Sequence, residues 1–125
     1  MVTSSTLFAQ KKQKSYKSFD EIKRLISLKQ RDEAVLLCLS ILEKKPTYYD
    51  VRVYLGRIYS WEKKYDDARK ELLKVLLKKP KYKEALEIII NIEMWTGNYL
   101  KALEYIDTAL NSYPVNERFL FLKVK

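Results

Sequence analysis

The sequence repeats itself with a period of 34 residues. A fixed period of this length indicates an array of similar supersecondary units, so it limits the possible folds more than any other feature. Each unit places apolar residues at helical spacing on either side of a short polar turn. We therefore expect a series of helix hairpins. The residues that recur at this spacing are proline (Pro46, Pro80 and Pro114), alanine (Ala34, Ala68 and Ala102), tryptophan (Trp61 and Trp95) and tyrosine (Tyr65 and Tyr99).

Composition agrees with an all-α fold. The 125 residues are 47% hydrophobic, which is enough for a core, but they include only 2 Gly and 3 Pro for the turns of a β protein. Leu, Ile, Lys, Glu and Ala dominate, and these residues favour helix. No apolar run approaches the roughly 18 residues that a membrane helix needs, so we expect no membrane insertion.

The chemistry that the side chains offer is narrow. The chain has no histidine, the commonest general base and transition-metal ligand. Cys38 is the only cysteine and lies on an apolar helical stripe, so we read it as a small buried hydrophobe. No Gly-rich phosphate loop, metal-ligand spacing or nucleophile–base set occurs. We predict a protein that is not an enzyme and holds no metal and no cofactor.

The repeats divide the chain as follows. Residues 1–14 lack periodicity and are expected to be a disordered tail, and residues 15–125 form the repeat domain. Two glycines have expected roles: Gly56 lets the facing helix approach at Ala68, and Gly97 closes a helix in the left-handed conformation. The expected units are 15–48, 49–82, 83–116 and a terminal helix over 117–125.

The pattern resembles the tetratricopeptide repeat family. The middle unit carries the signature best, while Arg52 and Leu86 stand where the family places an early tryptophan. The resemblance implies an α-solenoid of three helix hairpins that winds as a right-handed superhelix, followed by the start of a further helix. The signature positions in the middle unit are Leu55, Gly56, Tyr59, Ala68, Leu72 and Pro80.

By the same resemblance, the first helix of each hairpin lines a concave groove that binds a peptide segment or a protein. Aromatic and arginine side chains there would supply most of the contact energy. Two alternatives stand beside this reading: the tryptophans pack on Tyr65 and Tyr99 in the turns, or Arg57 lies on a solvated helix face. The predicted groove residues are Tyr54, Arg57, Trp61, Glu87, Asn91 and Trp95.

A narrower resemblance concerns the compartment. The stretches 55–68 and 92–102 are similar to the repeat region of YaiO-type bacterial outer-membrane proteins, which favours tryptophan at the end of the first helix. The string Leu7-Phe8-Ala9-Gln10 resembles the end of a secretory signal, although an ordinary flexible terminus would read alike. The prediction is a periplasmic or envelope-associated domain, and the alternative is a cytoplasmic one.

Two further expectations come from the charge and from the last residues. The net charge is +9, so the alternative function is binding to nucleic acid or an anionic surface. However, Lys44-Lys45 and Lys78-Lys79 lie at helix ends, where cations complement the helix dipole, and nucleic acid is therefore an unlikely partner. Residues Phe119–Val124 are apolar on more than one face, so we expect a longer chain or a partner there, including self-association through this helix.

Overall fold

The described part of the chain consists of helices joined by short turns and contains no strand. The computed structural model describes residues 19–114 and 116–124. The predicted tail and the secretion-like residues 7–10 lie outside the described residues. The all-α prediction is confirmed. The helices are α1 (19–27 within the described residues), α2 (Arg31–Lys44), α3 (Tyr49–Trp61), α4 (Tyr65–Lys78), α5 (Lys83–Trp95), α6 (Tyr99–Ser112) and α7 (Glu117–Val124).

The sequence period is also the period of the helices. The even-numbered helices α2, α4 and α6 each have 14 residues, and α3 and α5 each have 13. Helices α4 and α6 begin 34 residues after α2 and α4, and helices α5 and α7 begin 34 residues after α3 and α5. We call the odd-numbered helices first helices and the even-numbered ones second helices. The helix hairpins predicted from periodicity are thus present, with matched lengths.

The repeated prolines end the second helices. Each of them follows the last helical residue by two positions, after Lys44, Lys78 and Ser112. The residue between the helix end and the proline is Lys45, Lys79 or Tyr113. It leaves the helical conformation, with φ near −132° in all three repeats. This is the expected effect of proline, because its ring disfavours the helical conformation of the residue before it.

The turn inside each hairpin uses one residue in the left-handed conformation. These residues are Lys29, Lys63 and Gly97, with φ of 61°, 60° and 81°. In each turn the next N–H donates to the carbonyl five residues earlier at 2.8–2.9 Å, which closes the first helix. The left-handed role predicted for Gly97 is confirmed. The sequence analysis did not predict that two lysines, which adopt this conformation at a cost in free energy, share that role.

The chain divides into two compact units, Met1–Val51 and Arg52–Lys125. The described core of the first unit includes Ile22, Ala34 and Cys38, each fully buried. At its edge the Phe19 and Tyr48 rings stack with centroids 6.4 Å apart. The thiol of Cys38 is therefore a core group, as the sequence predicted.

The second unit is built by successive helices packed side by side. Helix α4 packs on α5, α5 on α6, and α6 on α7. A Cβ added at Gly56 would lie 2.9 Å from Leu72 Cγ and 3.6 Å from the Ala68 carbonyl oxygen. The glycine thus permits the close approach of α3 and α4 that the sequence predicted, and Leu72 is the nearest contact.

Helix α7 belongs to the core of the second unit. Phe119 is fully buried in a cluster with Leu86, Ile90, Ile106 and Ala109. Leu120 and Phe121 remain exposed, at 44% and 63%. The self-association predicted for Phe119–Val124 stays a prediction, and Phe119 is not available for it because its ring is already buried. 

Candidate partner-binding surface

A buried ion pair joins the start of α3 to α4. The guanidinium of Arg52 donates to the Glu71 carboxylate at 2.6 Å, and both side chains are only 11% exposed. Glu71 also lies 3.7 Å from Lys74 on its own helix. Arg52 replaces the tryptophan that the family places early in the first helix, so a charged contact with α4 occurs where an apolar one was expected.

A second ion pair joins α4 to the end of α5. Arg69 Nε donates to Glu93 at 2.6 Å, and its two terminal nitrogens donate to Thr96 Oγ1 at 2.7 Å and Asp66 at 2.9 Å. The Glu93 side chain is 8% exposed and that of Arg69 is 21% exposed. Each of the three guanidinium nitrogens therefore donates to one acceptor, and the geometry is directional.

The two ion pairs fix how α4 contacts both of the first helices that carry the predicted groove residues. One pair anchors α4 to α3 and the other anchors it to α5. Because such contacts require aligned donors and acceptors, each pair tolerates little sliding of one helix along the other. The sequence analysis missed these residues, although Arg52 was noted as a departure from the family pattern. The available signal was charge at positions where the neighbouring repeats carry uncharged residues.

On α3 the structure places the predicted residues at graded depths. Tyr54 and Arg57 are half-buried, and Trp61 is 41% exposed at the last helical position. Arg57 and Trp61 are four residues apart and so lie on one face of the helix. Val53, four residues before Arg57, is buried and continues that stripe into the core.

On α5 the predicted residues form a stripe at the same positions of the repeat. Glu87, Asn91 and Trp95 are successive steps of four residues along one helix face. Glu87 and Asn91 are half-buried, and Trp95 is 61% exposed. The Trp95 ring contacts Tyr65 of the preceding hairpin, with centroids 6.2 Å apart. The alternative reading, in which this tryptophan packs on Tyr99 of its own turn, did not anticipate that contact across hairpins.

The electrostatics of the second unit single out two of the predicted residues. Among the described residues of this unit, eight charged side chains are buried or half-buried. Six of them form an ion pair or lie near an aromatic ring, and two, Arg57 and Glu87, do neither within the described residues. The six are Arg52, Glu62, Arg69, Glu71, Lys83 and Glu93.

Burial affects two further ionisable side chains. Burial raises the pKa of the Cys38 thiol to about 12, so the thiol is protonated and unreactive at neutral pH. Burial also raises the pKa of Tyr105, against the opposing effect of the nearby Lys101 ammonium. Over residues 19–114 and 116–124, no group of three or more acidic, Cys or His residues could hold a metal ion.

The fold and this surface define a class of protein: a helical repeat protein whose hairpins present one face of each first helix. The pattern of the tetratricopeptide repeat family matches residues 25–89, which is just over half of the chain. The chain therefore belongs to the tetratricopeptide repeat family. No curated protein matches its sequence.

Membership of this family fixes the broad role. Tetratricopeptide repeats generally mediate contact between proteins and act as interaction scaffolds that carry out no catalysis. None of the helices in the described residues combines the length and the apolar character that crossing a membrane requires.

Proposed function

We propose that the faces of α3 and α5 defined above bind a peptide segment or an extended loop of a partner protein. The observation that carries the proposal is the coincidence of exposed aromatic rings with polar side chains that have no partner within residues 19–114 and 116–124. Trp61 and Trp95 occupy the same repeat position, and Arg57 and Asn91 occupy another, one helical turn earlier. Two successive first helices therefore each present a polar side chain followed one turn later by a tryptophan.

The exposed tryptophans supply most of the expected affinity. Burying apolar surface contributes about 25 cal/mol per Å², and tryptophan and arginine are the residues most enriched among those that dominate binding energy. The contact between Trp95 and Tyr65 leaves 61% of the tryptophan exposed and braces the ring against α4. A ring braced in this way loses little conformational freedom when a partner covers it.

The polar residues would set the orientation of the bound segment. The Asn91 side chain can both donate and accept, which suits the backbone amides of a peptide. No side-chain hydrogen bond occupies it within the described residues. A half-buried amide without a partner is a cost to the free protein that a bound peptide would offset.

Selection from a displayed peptide library tests this function. Peptides that bind the full chain should bind Arg57→Ala and Trp95→Ala variants at least about fivefold more weakly, since each change removes a contact worth more than about 1 kcal/mol. Far-UV circular dichroism should show unchanged helix content for both variants.

The matched control is Leu77→Ala, which truncates a side chain that is 80% exposed on the second helix α4. This change should leave peptide affinity unaltered. If the selected peptides bind the α3 and α5 variants normally but lose affinity for the Leu77→Ala variant, the binding face is on the second helices and the proposal is wrong.

The compartment stays a prediction. The periplasmic location rests on residues 7–10 and on the narrower resemblance, and those residues lie outside the described part of the chain. The proposal for the binding face does not depend on it.

A further inference from the structure

We infer that the bound segment carries both an acidic and a basic side chain, the first for Arg57 and the second for Glu87. The inference rests on the proposed function, because it assigns chemistry to a ligand of the same helix faces. Its starting point is the pair of half-buried charges that lack an ionic or ring partner within the described residues of the second unit.

Pairing is the rule for charges at this depth in the second unit. Arg52 and Arg69 each contact a carboxylate at 2.6 Å, and Lys83 lies 5.9 Å from the centre of the Tyr113 ring. A half-buried charge has already lost part of its hydration, so leaving it unpaired costs free energy. Among the described residues Arg57 and Glu87 have no such partner, which is expected where a ligand supplies it.

The two charges differ in sign and lie on different helices. Arg57 occupies on α3 the position that Asn91 occupies on α5, and Glu87 lies one helical turn before Asn91. A segment with acidic groups alone would pair with Arg57 and be repelled by Glu87, and a basic segment would meet the opposite problem. Covering either charge with an apolar residue would bury it without compensation. Only a segment of mixed charge satisfies both.

The tryptophans complete the description of the ligand. Trp61 follows Arg57 by one turn, and Trp95 follows Asn91 by one turn, so each helix places an aromatic ring next to its polar group. The segment is therefore expected to combine oppositely charged side chains with apolar or aromatic residues. This composition excludes polyanions such as nucleic acid as ligands of this face.

Charge-swap titration tests the inference. Synthetic peptides would share one length and one set of aromatic and neutral residues and differ only at two positions, occupied by Glu and Lys in either order, by two Glu or by two Lys. At physiological ionic strength one of the mixed peptides should bind the full chain about fivefold more tightly than either peptide of single charge, as expected for a partly desolvated ion pair.

Reversing one charge should change the preference. The Arg57→Glu variant should bind the Lys-Lys peptide best, and the Glu87→Lys variant should bind the Glu-Glu peptide best. The Arg57→Glu/Glu87→Lys double variant should again prefer a mixed peptide, in the opposite order. The controls are Lys78→Glu and Glu104→Lys, which change the net charge equally at exposed positions on second helices. They should leave the order of preference unaltered.

The outcomes separate this inference from the proposed function. If peptides bind in a way that depends on Trp61 and Trp95 while the charge variants show no change of preference, the inference is overturned and the binding face stands. If no peptide binds and selection from a library also fails, both are overturned. A preference that shifts equally in the two control variants would show that net charge alone is responsible, and would again overturn the inference.

Discussion

The ion pair between Arg69 and Glu93 holds α4 against α5, and its removal should be costly. In an Arg69→Met variant, Glu93 loses the guanidinium that it contacts at 2.6 Å while its side chain remains 8% exposed. In a Glu93→Met variant, Arg69 keeps its contacts with Asp66 and Thr96. The two single substitutions should therefore lower the free energy of unfolding by different amounts, and Arg69→Met should lower it more than Glu93→Met.

The magnitudes follow from burial. Breaking a buried pair by removing one partner costs about 3–5 kcal/mol. Since the Arg69 side chain is 21% exposed, we expect Arg69→Met to lower the free energy of unfolding by about 3 kcal/mol, the lower end of this range. We expect Glu93→Met to lower it by about 2 kcal/mol, because the Arg69 guanidinium keeps two partners. The double variant replaces the pair by apolar side chains of similar volume, so its stability should lie within about 1 kcal/mol of wild type.

Urea unfolding followed by tryptophan fluorescence measures these values, because both tryptophans lie in the second unit. The control is the pair formed by Lys101 and Glu104, with 3.2 Å between nitrogen and oxygen and side chains 52% and 69% exposed. Replacing Lys101 or Glu104 by Met should change the urea midpoint of unfolding by no more than the experimental error.

The reasoning is refuted if Arg69→Met is no more destabilising than Lys101→Met. It is also refuted if the Arg69→Met/Glu93→Met double variant loses the sum of the two single effects. That result would mean that the two side chains stabilise the fold independently, whereas the structure requires a large coupling between them.

Three other predictions concern backbone and core. Gly56→Ala should destabilise by about 1 kcal/mol in urea unfolding, because crowding of Leu72 outweighs the gain in helix propensity; a stabilised variant would contradict the close approach. Residues 63 and 97 both have positive φ. Lys63→Gly should therefore raise the free energy of unfolding by about 0.5–1 kcal/mol, and Gly97→Ala should lower it by about 1 kcal/mol. Changes of the opposite sign would contradict the turn geometry. The raised pKa of Cys38, about 12 against an ordinary 9.0, means that the unfolded thiol ionises first as pH rises. The free energy of unfolding should therefore fall between pH 9 and 12. From pH 7 to pH 10, the wild-type value should fall by about 1.4 kcal/mol more than the value of the Cys38→Ala variant. An equal fall in both proteins would refute this prediction.

Periodicity predicted the helices because the same forces act in every unit. Apolar side chains at helical spacing and prolines at a fixed offset set where α2, α4 and α6 lie, and the structure confirms those positions. The buried state of Cys38 and the left-handed role of Gly97 were predicted for the same reason, since both follow from local pattern.

Contacts that do not recur in every repeat were not predicted. The partners in the pairs Arg52–Glu71 and Arg69–Glu93 are 19 and 24 residues apart. Each pair joins two different helices, and the spacing of apolar residues within a helix carries no information about such contacts. The left-handed conformation of Lys63 is imposed by the hairpin and not by the residue itself. Burial of Phe119 likewise depends on the surface that α5 and α6 offer.

The predicted binding residues show what the structure adds to the sequence. Their place on the first helices followed from the family resemblance, and the structure adds their depth: half-buried polar groups beside exposed rings. What could not be read from sequence is which charges are already paired. Arg57 resembles Arg52 and Arg69 in the sequence, and only the structure shows that those two have carboxylate partners.

The most direct test uses the two indole N–H groups as reporters, since the chain contains only two tryptophans. A nitrogen–proton correlation spectrum of the full chain, titrated with a selected mixed-charge peptide, resolves one indole signal for each. We predict that the signals of both Trp61 and Trp95 shift with the same saturation curve. Unchanged indole signals, together with shifts of backbone amides confined to α4 and α6, would contradict binding at the first helices.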